Sequence, residues 1–311
     1  MNDLDYYQRA FQSLRVNRGG GEPSPHKPCM LLAVIDYFDA TPQAENRLSF
    51  SPNLLERYRS YFDLAAGERD RPNPYMPFFH LKSEGFWQLK ALPNREEALG
   101  RVKTATSPKD IRENIDYAYL EEALFEILKN KENRQRLTRV LIDHWFDRTQ
   151  GEIERMLDKN RQVNQYEMLL RSPESERKVA LQRPEYLVRN AAFRRVVLEA
   201  YDYRCAATGT RLILPDESVL VEAAHLEEFR IRGNDEPQNG IALSKDIHWV
   251  MDRGFIAPGP DYKWHISKQI DKRLPDNQKL IELDGTDIIL PKQQSFWPKE
   301  AYLKHRLDGL L

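Results

Sequence analysis

The spacing of hydrophobic residues predicts a mainly helical first half. Apolar residues near the N-terminus recur at helical intervals: Leu4, Tyr7, Phe11 and Leu14. They predict an amphipathic helix, and the glycines and prolines between positions 19 and 28 predict a loop after it. The next segment, CMLLAVIDYF, is apolar on every face, which is typical of a buried helix. Helical spacing returns in YLEEALFEILKN, where we expect the helix to end at Asn130, and in RQRLTRVLIDHWF.

The segment from 71 to 92 has a different pattern, which is aromatic and partly alternating. It predicts two short strands joined by a turn at Ser83-Glu84-Gly85. A polar, partly helical stretch comes later, and we place a domain boundary near Pro173. The sequence therefore predicts an α+β protein. Its first domain, 1–172, is mainly helical with a small β element and a helical linker at its end, and its second domain is 173–311.

Composition limits the class of protein. The length of 311 residues suits about two domains. The two cysteines, Cys29 and Cys205, exclude a disulfide framework and a four-cysteine zinc module, and they fit a reducing, cytoplasmic location. No apolar run is long enough to predict a membrane span. The net charge of −1 does not indicate nucleic-acid binding, although a local basic patch is hidden by such an average.

Chemistry-bearing residues concentrate between Val219 and Phe255, in VLVEAAHLEEFRIRGNDEPQNGIALSKDIHWVMDRGF. An apolar run ends at His225, a loop of turn-forming residues follows, and Asn239 opens a second short apolar run. A helix is then expected between an N-cap at Ser244 and a stop at Gly254. The predicted order is strand, loop, strand, helix.

Four polar side chains fall where this order brings them together. His248 lies in the predicted helix, and Asp252 follows it by one helical turn on the same face. Such a pair is able to hold a divalent cation. His225 is then placed to accept a proton from water, and the amide of Asn239 to orient its imidazole. A structural zinc site is the alternative for the histidines, but no cysteine is spaced to complete it.

The pattern AAH…NGIAL…HWVMDRGF, preceded by RCAATG, resembles the HNH, or ββα-metal, nuclease motif in its restriction-associated branch. The resemblance extends over about residues 185–270. It implies that His225 is the general base, that Asn239 supports it, and that His248 is a metal ligand, with Asp252 as a second ligand. The cofactor implied is one divalent ion, Mg²⁺ or Mn²⁺.

One position departs from the family pattern. Many members carry an acidic residue or a histidine just before the base, where this chain has Ala224. Glu222, two residues earlier, is the candidate substitute. Basic residues around the motif are candidates for holding backbone phosphates: Arg230, Arg232, Lys245 and Arg253.

The first domain also carries a resemblance. PHKPCMLLAVID and PYMPFFHLKSEGFW resemble the sulfur-binding domain of type IV restriction endonucleases, over about residues 1–146. Those enzymes recognise phosphorothioate DNA, in which a sulfur replaces a non-bridging phosphate oxygen. The resemblance implies a set of DNA-binding residues: His26, Met76, Pro77, Phe78, His80, Lys109 and Arg112. An apolar wall favours the larger, less hydrated sulfur by about 1–3 kcal/mol.

Taken together, these observations predict a modification-dependent DNA endonuclease of a restriction or defence system. Its partner would be double-stranded DNA carrying phosphorothioate, and a homodimer would cut both strands. One alternative is an HNH nuclease directed to methylated or otherwise modified bases, flipped into an aromatic cage. Another is a noncatalytic DNA-binding protein that retains a decayed HNH fold.

Overall fold

The chain divides into two compact units in the computed structural model. The described residues are 3–18, 23–68, 70–177, 184–214, 218–228 and 233–311. Residues up to Asn164 form the first unit and those from Gln165 the second, apart from 215–217, which are not among the described residues. This division falls inside one helix, Gln150–Arg171. The domain limits 1–172 and 173–311 stay a prediction.

Helices dominate the first unit. They are α1 Asp3–Gln12, α2 His26–Ala40, α3 Pro52–Ala65, α4 Tyr75–His80, α5 Glu96–Arg101, α6 Pro108–Asn114, α7 Glu122–Lys129, α8 Lys131–Trp145 and α9 Gln150–Arg171, with a 3-10 turn at Leu81–Glu84. Two strands, β1 Trp87–Ala91 and β2 Ile115–Leu120, form an antiparallel pair in which Trp87 lies opposite Leu120.

Hydrophobic spacing correctly predicted the first helices. Leu4, Tyr7 and Phe11 are buried on one face of α1. Helix α2 is buried nearly all round, as its continuous apolar run indicates. Asn130 ends α7, and its side chain accepts a hydrogen bond from the backbone N–H of Asn133 to begin α8.

The strand–turn–strand prediction for 71–92 is wrong. Its first part is helical: α4 follows Pro74, and Pro77 lies in its first turn, where a fixed φ and a missing N–H are tolerated. The 3-10 turn ends at Gly85, whose φ of 87° is readily adopted by glycine. Only β1 is a strand, and it pairs with the distant β2 rather than with a local partner. Aromatic alternation alone does not identify such a partner.

A buried polar network joins α2, α3 and the first part of α9. The carboxylate of Asp36 accepts hydrogen bonds from Tyr61 Oη at 3.1 Å, from Asn160 Nδ2 at 3.0 Å and from Asn164 Nδ2. Arg57 is fully buried, lies 3.3 Å from the same carboxylate and donates to Asn164 Oδ1 at 2.7 Å. Because every charge in it is paired, the network holds three helices in one register.

The second unit contains shorter elements. Its helices, after the end of α9, are α10 Glu174–Arg177, α11 Tyr186–Ala200, α12 Lys245–Asp252, α13 Gln278–Ile281 and α14 Glu300–Asp308. Its strands are β3 Val221–His225, β4 Gly240–Ser244, β5 Ile256–Pro258 and β6 Trp264–Ile266, paired antiparallel as β3–β4 and β5–β6. Its 3-10 turns are Pro237–Asn239, Pro275–Asn277 and Gln294–Phe296.

The predicted order of strand, loop, strand and helix is present in β3, β4 and α12. His225 lies opposite Gly240 in the β3–β4 pair, so the end of β3 meets the start of β4. A side chain at Gly240 would lie 2.4 Å from Val197 and 2.8 Å from Phe193, both on α11. Glycine therefore allows this sheet to approach α11 closely. The predicted α+β fold is confirmed.

Among the described helices, none is both long enough and apolar enough to cross a membrane.

Candidate active site and candidate DNA-binding cleft

A cleft of about 620 Å³ in the second unit, here called the C-terminal cleft, collects the residues of the sequence motif. It is lined by Tyr186, Ala223, His225, Glu228, His248, Asp252 and Arg306. The end of β3, helix α12 and helix α14 therefore contribute side chains to one space. His225, His248 and Asp252, which the sequence pattern groups together, do line the same cleft.

The imidazole of His248 lies between two carboxylates. Its Nδ1 is 2.8 Å from Glu222 Oε1, and its Nε2 is 3.2 Å from Asp252 Oδ2. In the neutral ring, Nδ1–H donates to Glu222, and the lone pair of Nε2 points towards the side of Asp252. Glu222 thus takes the position of an outer carboxylate that fixes the tautomer and orientation of a metal-binding histidine.

The donor set fits a divalent cation. Metal–nitrogen and metal–oxygen bonds of about 2.0–2.2 Å place two ligands at right angles roughly 3 Å apart, and His248 Nε2 and Asp252 Oδ2 are 3.2 Å apart. The carboxylate oxygen suits Mg²⁺ or Mn²⁺ and the imidazole nitrogen suits a transition-metal ion, so the pair is compatible with a divalent cation without selecting one. Within the described residues no group of three or more His, Cys, Asp or Glu side chains is arranged to hold a metal. Such a cation would therefore complete its shell with water and phosphate.

His225 is held by stacking and by a buried acid. Its ring lies parallel to that of Phe193, at an interplanar angle of 5° and a centroid distance of 4.0 Å. Its Nε2 is 3.5 Å from Oδ1 of Asp235, and its carbonyl oxygen accepts a hydrogen bond from Arg306 Nη2 at 2.8 Å. These contacts therefore constrain both the ring and the backbone of His225 at the edge of the C-terminal cleft.

Asp235 is a site residue that the sequence pattern did not single out. Arg189 Nε donates to its carboxylate at 2.7 Å and Tyr166 Oη at 3.0 Å. Burial alone would raise the pKa of Asp235, but the contacts with His225, Arg189 and Tyr166 outweigh it and hold the pKa below its ordinary value. The carboxylate is therefore ionised beside His225. In the sequence, Asp235 is only one acidic residue in the loop between the two predicted strands, so nothing there indicated a contact with His225.

Asn239 is fully buried and acts on the backbone. Its Oδ1 accepts from the N–H of Glu227 at 2.8 Å, and its Nδ2 donates to the carbonyl oxygens of Glu227 and Asn234 at 3.1 and 3.0 Å. The amide thus fixes the chain just after His225, rather than making the expected hydrogen bond to the imidazole. Asn239 ends the 3-10 turn before β4, and its own carbonyl oxygen accepts a hydrogen bond from the N–H of Leu226, so it lies beside the residues that follow His225.

The predicted phosphate-binding residues are only partly placed. Arg230 and Arg232 lie outside the described residues. Lys245 is exposed at the start of α12, and the guanidinium of Arg253 lies 5.0 Å from the ring centre of Trp249. Arg306, which does line the C-terminal cleft, was missed because it is far from the motif in sequence.

A second cleft, of about 430 Å³, lies in the first unit and is here called the N-terminal cleft. It is lined by Arg15, Val16, Asn17, Ser24, His26, Lys27, Asn73, Met76, Pro77, His80 and Ser83. Four of the predicted DNA-binding residues, His26, Met76, Pro77 and His80, are therefore together. The start of α2 and the helix α4 bring them there.

Burial keeps the imidazoles of this cleft neutral at pH 7 by lowering their pKa values. His26 Nε2 donates to the carbonyl oxygen of Arg71 at 2.9 Å, so its Nδ1 accepts from Ser24 Oγ at 2.7 Å in the neutral ring. Burial lowers the pKa of His26, and the hydrogen bond to Arg71 offsets only part of this. Burial also lowers the pKa of His80, and the charges of Lys27 and Lys82 add to the effect.

Two cationic side chains line the N-terminal cleft, Arg15 and Lys27, and the buried one of them, Lys27, is paired. Lys27 is buried, donates to Ser83 Oγ at 3.1 Å and forms an ion pair with the buried carboxylate of Glu84. Glu84 also accepts from the backbone N–H of Arg15 at 3.2 Å. Nothing in the sequence pattern indicated this ion pair beyond a lysine next to His26.

Three predicted DNA-binding residues lie elsewhere. Phe78 is fully buried and packs edge-to-face on Phe50 and Trp87, so it supports the N-terminal cleft from behind and is not a surface contact. Lys109 is exposed on α6, 3.7 Å from Glu113, and Arg112 lies over the ring of Phe50 at 5.8 Å. Neither side chain lines the cleft. An aromatic residue in an apolar run is more often buried in the core than exposed on a binding surface, and Phe78 follows this tendency.

Two regions of the chain, one in each unit, match known families. Residues 5–159 match the family of the ScoMcrA-like DNA sulfur-binding domain. Residues 205–257 match the HNH endonuclease family. The chain therefore joins a region of the first family to a region of the second, which confirms both resemblances seen in the sequence.

Two solved structures show a likeness to parts of the chain. One is described as "Modification dependent TagI restriction endonuclease", with 16% identity and a TM-score of 0.30 over 40% of this chain, which spans only 39% of that one. The other is "Sulfur binding domain of SprMcrA complexed with phosphorothioated DNA", with 19% identity and a TM-score of 0.38, covering 50% of this chain and 95% of that one. Among curated proteins, none matches this chain.

Proposed function

We propose that this protein is a modification-dependent endonuclease that cleaves double-stranded DNA carrying phosphorothioate. The observation that carries the proposal is the convergence of His225, His248 and Asp252 on the C-terminal cleft of a chain that also carries a sulfur-binding region. The first region would select the DNA, and the second would hydrolyse a phosphodiester bond.

In the proposed reaction His225 is the general base. Asp235 faces Nε2 of the ring, so the proton of the attacking water goes to the other nitrogen, Nδ1. The water oxygen forms a bond to phosphorus as the bond from phosphorus to the 3′ oxygen breaks, and the leaving oxygen takes a proton from solvent. Phe193 and Asp235 keep the ring in place, while Asn239 holds the following backbone.

His248 and Asp252 would hold the divalent cation, Mg²⁺ or Mn²⁺, with Glu222 orienting His248 from behind. A bound cation supplies electrostatic stabilisation for charge that develops on the phosphate and on the leaving oxygen. The absence of an acidic side chain at Ala224 is thus met in part by Glu222, which approaches the same histidine from the strand.

For recognition, the N-terminal cleft offers apolar walls from Met76 and Pro77 beside neutral imidazoles and a paired lysine. Sulfur is favoured there because it is less strongly hydrated than oxygen, with an advantage of about tenfold to 200-fold. Contacts to the remaining phosphates supply most of the affinity. Two chains on one duplex, a homodimer, would cut both strands.

The test compares cleavage of matched plasmids that carry phosphorothioate, methylcytosine or no modification, with Mn²⁺, Mg²⁺ or EDTA. We expect cleavage of phosphorothioate DNA with a cation and none in EDTA. His225→Ala should lower the rate by about 10²–10⁴-fold without changing DNA affinity. His305→Ala, an exposed histidine on α14, is the matched control and should retain activity.

Each other outcome contradicts a stated part of the proposal. Preferential cutting of methylated DNA would favour a base-modification reader. Failure to cut any of the DNAs would favour a noncatalytic binder with a decayed nuclease fold. A light-scattering mass of one chain per bound duplex would contradict the homodimer.

A further inference from the structure

Arg306 links the two parts of the C-terminal cleft. Its Nη2 donates to the carbonyl oxygen of His225 at 2.8 Å and to Asp252 Oδ1 at 3.0 Å. It therefore touches both the residue proposed as base and a residue proposed as metal ligand. Arg306 belongs to α14, well beyond the residues 205–257 that match the HNH family.

Packing and a backbone hydrogen bond hold the C-terminal segment, and with it Arg306, in a fixed position. Leu303 of α14 is fully buried, and α14 packs against β5. The N–H of Leu311 donates to the carbonyl oxygen of Gly254 at 2.9 Å, directly after the helix that carries His248. Gly254 has a φ of 71° and a Cβ there would lie 2.9 Å from the carbonyl oxygen of Gly309. Glycine thus permits this close approach.

The charges that line the C-terminal cleft indicate that the Arg306 guanidinium binds an anion. Glu228 and Asp252 are the carboxylates that line the cleft, and Arg306 is its one lysine or arginine among the described residues. A guanidinium beside the ligands of a divalent cation is repelled by that cation. An anion bound between them removes the repulsion, and the phosphodiester of DNA is such an anion.

The donors of Arg306 are not all used within the protein. A guanidinium has five N–H donors, and Nη2 makes the hydrogen bonds to His225 and Asp252. Nε is buried and has no hydrogen-bond partner among the described residues. The Nη1 group is therefore available to a phosphate oxygen while Nη2 keeps the two protein contacts.

We infer that Arg306 is a catalytic residue that binds the reacting phosphodiester and stabilises the negative charge that develops on it. The inference rests on the proposed function, which supplies the substrate. It extends the active site to the C-terminal helix, outside the HNH motif. A donor aimed at developing charge typically contributes about 10²–10³-fold to kcat.

The test uses Arg306→Gln and Arg306→Lys in the full chain. Lys304→Gln is the matched control, because it removes one positive charge from an exposed position of the same helix. We expect Arg306→Gln to lower kcat by about 10²–10³-fold at saturating Mn²⁺. Lys304→Gln should stay within twofold of the wild-type rate. Arg306→Lys should be intermediate, since it keeps the charge but not the fork of donors.

A second readout needs no cleavage. Binding of unmodified DNA is measured in EDTA at several salt concentrations, where the slope of log Kd against log salt falls by about 0.9 for each phosphate contact that is lost. We expect that loss for Arg306→Gln and not for Arg306→Lys.

The outcomes separate this inference from the proposed function. An inactive wild-type chain contradicts the proposed function. An active wild type with an equally active Arg306→Gln, or full recovery of that variant when Mn²⁺ is raised, contradicts the inference alone, because Arg306 would then only hold Asp252. If Arg306→Gln melts at a much lower temperature, Arg306→Lys decides, and a wild-type kcat for it contradicts the role of the donor fork.

Discussion

In the N-terminal cleft the buried Lys27 is paired with Glu84 and the imidazoles are neutral, whereas the C-terminal cleft carries carboxylates, imidazoles and a guanidinium around one space. The first arrangement leaves apolar walls from Met76 and Pro77 as its distinctive surface. The second leaves nitrogen and oxygen donors that face each other at 3.2 Å.

This difference shows how one chain could separate selection from reaction. Discrimination between sulfur and oxygen is small per contact, about 1–3 kcal/mol, and a strongly charged site favours the better-hydrated oxygen. Hydrolysis requires the opposite environment, because it moves a proton and develops negative charge. Each cleft has the electrostatics that its proposed task needs, and the two clefts share no lining residue.

Three further experiments compare the two clefts, and the largest effect among them is expected from removing the acid beside the proposed base, His225. Asp235→Asn keeps the shape and a hydrogen-bond acceptor but loses the carboxylate that orients His225. We expect kcat for phosphorothioate DNA to fall on the order of 10- to 100-fold, with unchanged affinity. Nitrogen NMR of labelled histidine should show a changed tautomer mixture for His225.

The matched control is Asp271→Asn, an acid of the same unit whose hydrogen bonds are to the neighbouring Arg273. It should leave both the rate and the histidine signals unchanged. An Asp235→Asn chain with a normal rate, or with a reduced rate but a normal tautomer, would contradict the positioning role.

A smaller effect is expected on the selection side. Met76 is 36% exposed on α4 and lines the N-terminal cleft, so Met76→Ser removes apolar surface without opening the core. The preference for phosphorothioate over unmodified duplexes should fall by about tenfold, while affinity for unmodified DNA stays the same. Competition binding in EDTA measures both quantities.

Met168→Ser is the control for that experiment, because Met168 is 41% exposed but lies in the second unit. It should leave the preference intact. Equal loss of affinity for both duplexes in Met76→Ser would contradict a contact with sulfur and indicate a general effect on binding.

The smallest expected effect is a change of preference with pH. The pKa values of His26 and His80 are lowered, so both rings are neutral at pH 7 and gain charge only below their ordinary value of about 6.5. Protonation would strengthen binding of all DNA but favour oxygen over the less hydrated sulfur. The preference for phosphorothioate should therefore be constant between pH 8 and 7, and it should narrow a few-fold only once the pH falls below about 6.5.

Binding titrations on matched duplexes across this range, in EDTA, measure the effect. The side chain of His80→Gln cannot take up a proton. The preference of this variant for phosphorothioate DNA should therefore narrow less on acidification than the preference of the wild type. A preference that grows on acidification would contradict neutral imidazoles as the basis of selection.

Local pattern predicted the parts of the molecule that form within one segment. Periodic apolar residues predicted α1 and α2, and the motif predicted β3, β4 and α12 in order. Because two adjacent strands and the helix that follows them pack together, His225, His248 and Asp252 line one cleft as the motif indicated. The family resemblances rested on the same segments and are confirmed.

Other features depend on residues that are distant along the chain. Three observations differ from the expectations: β1 pairs with β2, Phe78 is buried, and the Asn239 amide binds backbone groups. In each case the contact is made by residues that only the tertiary fold brings together. Neither Asp235 nor Arg306 stands out in the sequence, because nothing in their neighbours reveals what the folded chain places beside them.

The sequence by itself predicted α1, α2 and the order of β3, β4 and α12. It also supplied the residues proposed for nucleophile activation, cation binding and sulfur contact, since these follow from short-range spacing and side-chain chemistry. The tertiary structure alone decided which carboxylate faces which imidazole, which lysine is neutralised and which helix contributes a guanidinium. These contacts depend on distances of a few ångströms between segments that are far apart in the sequence, and spacing along the chain does not predict such distances.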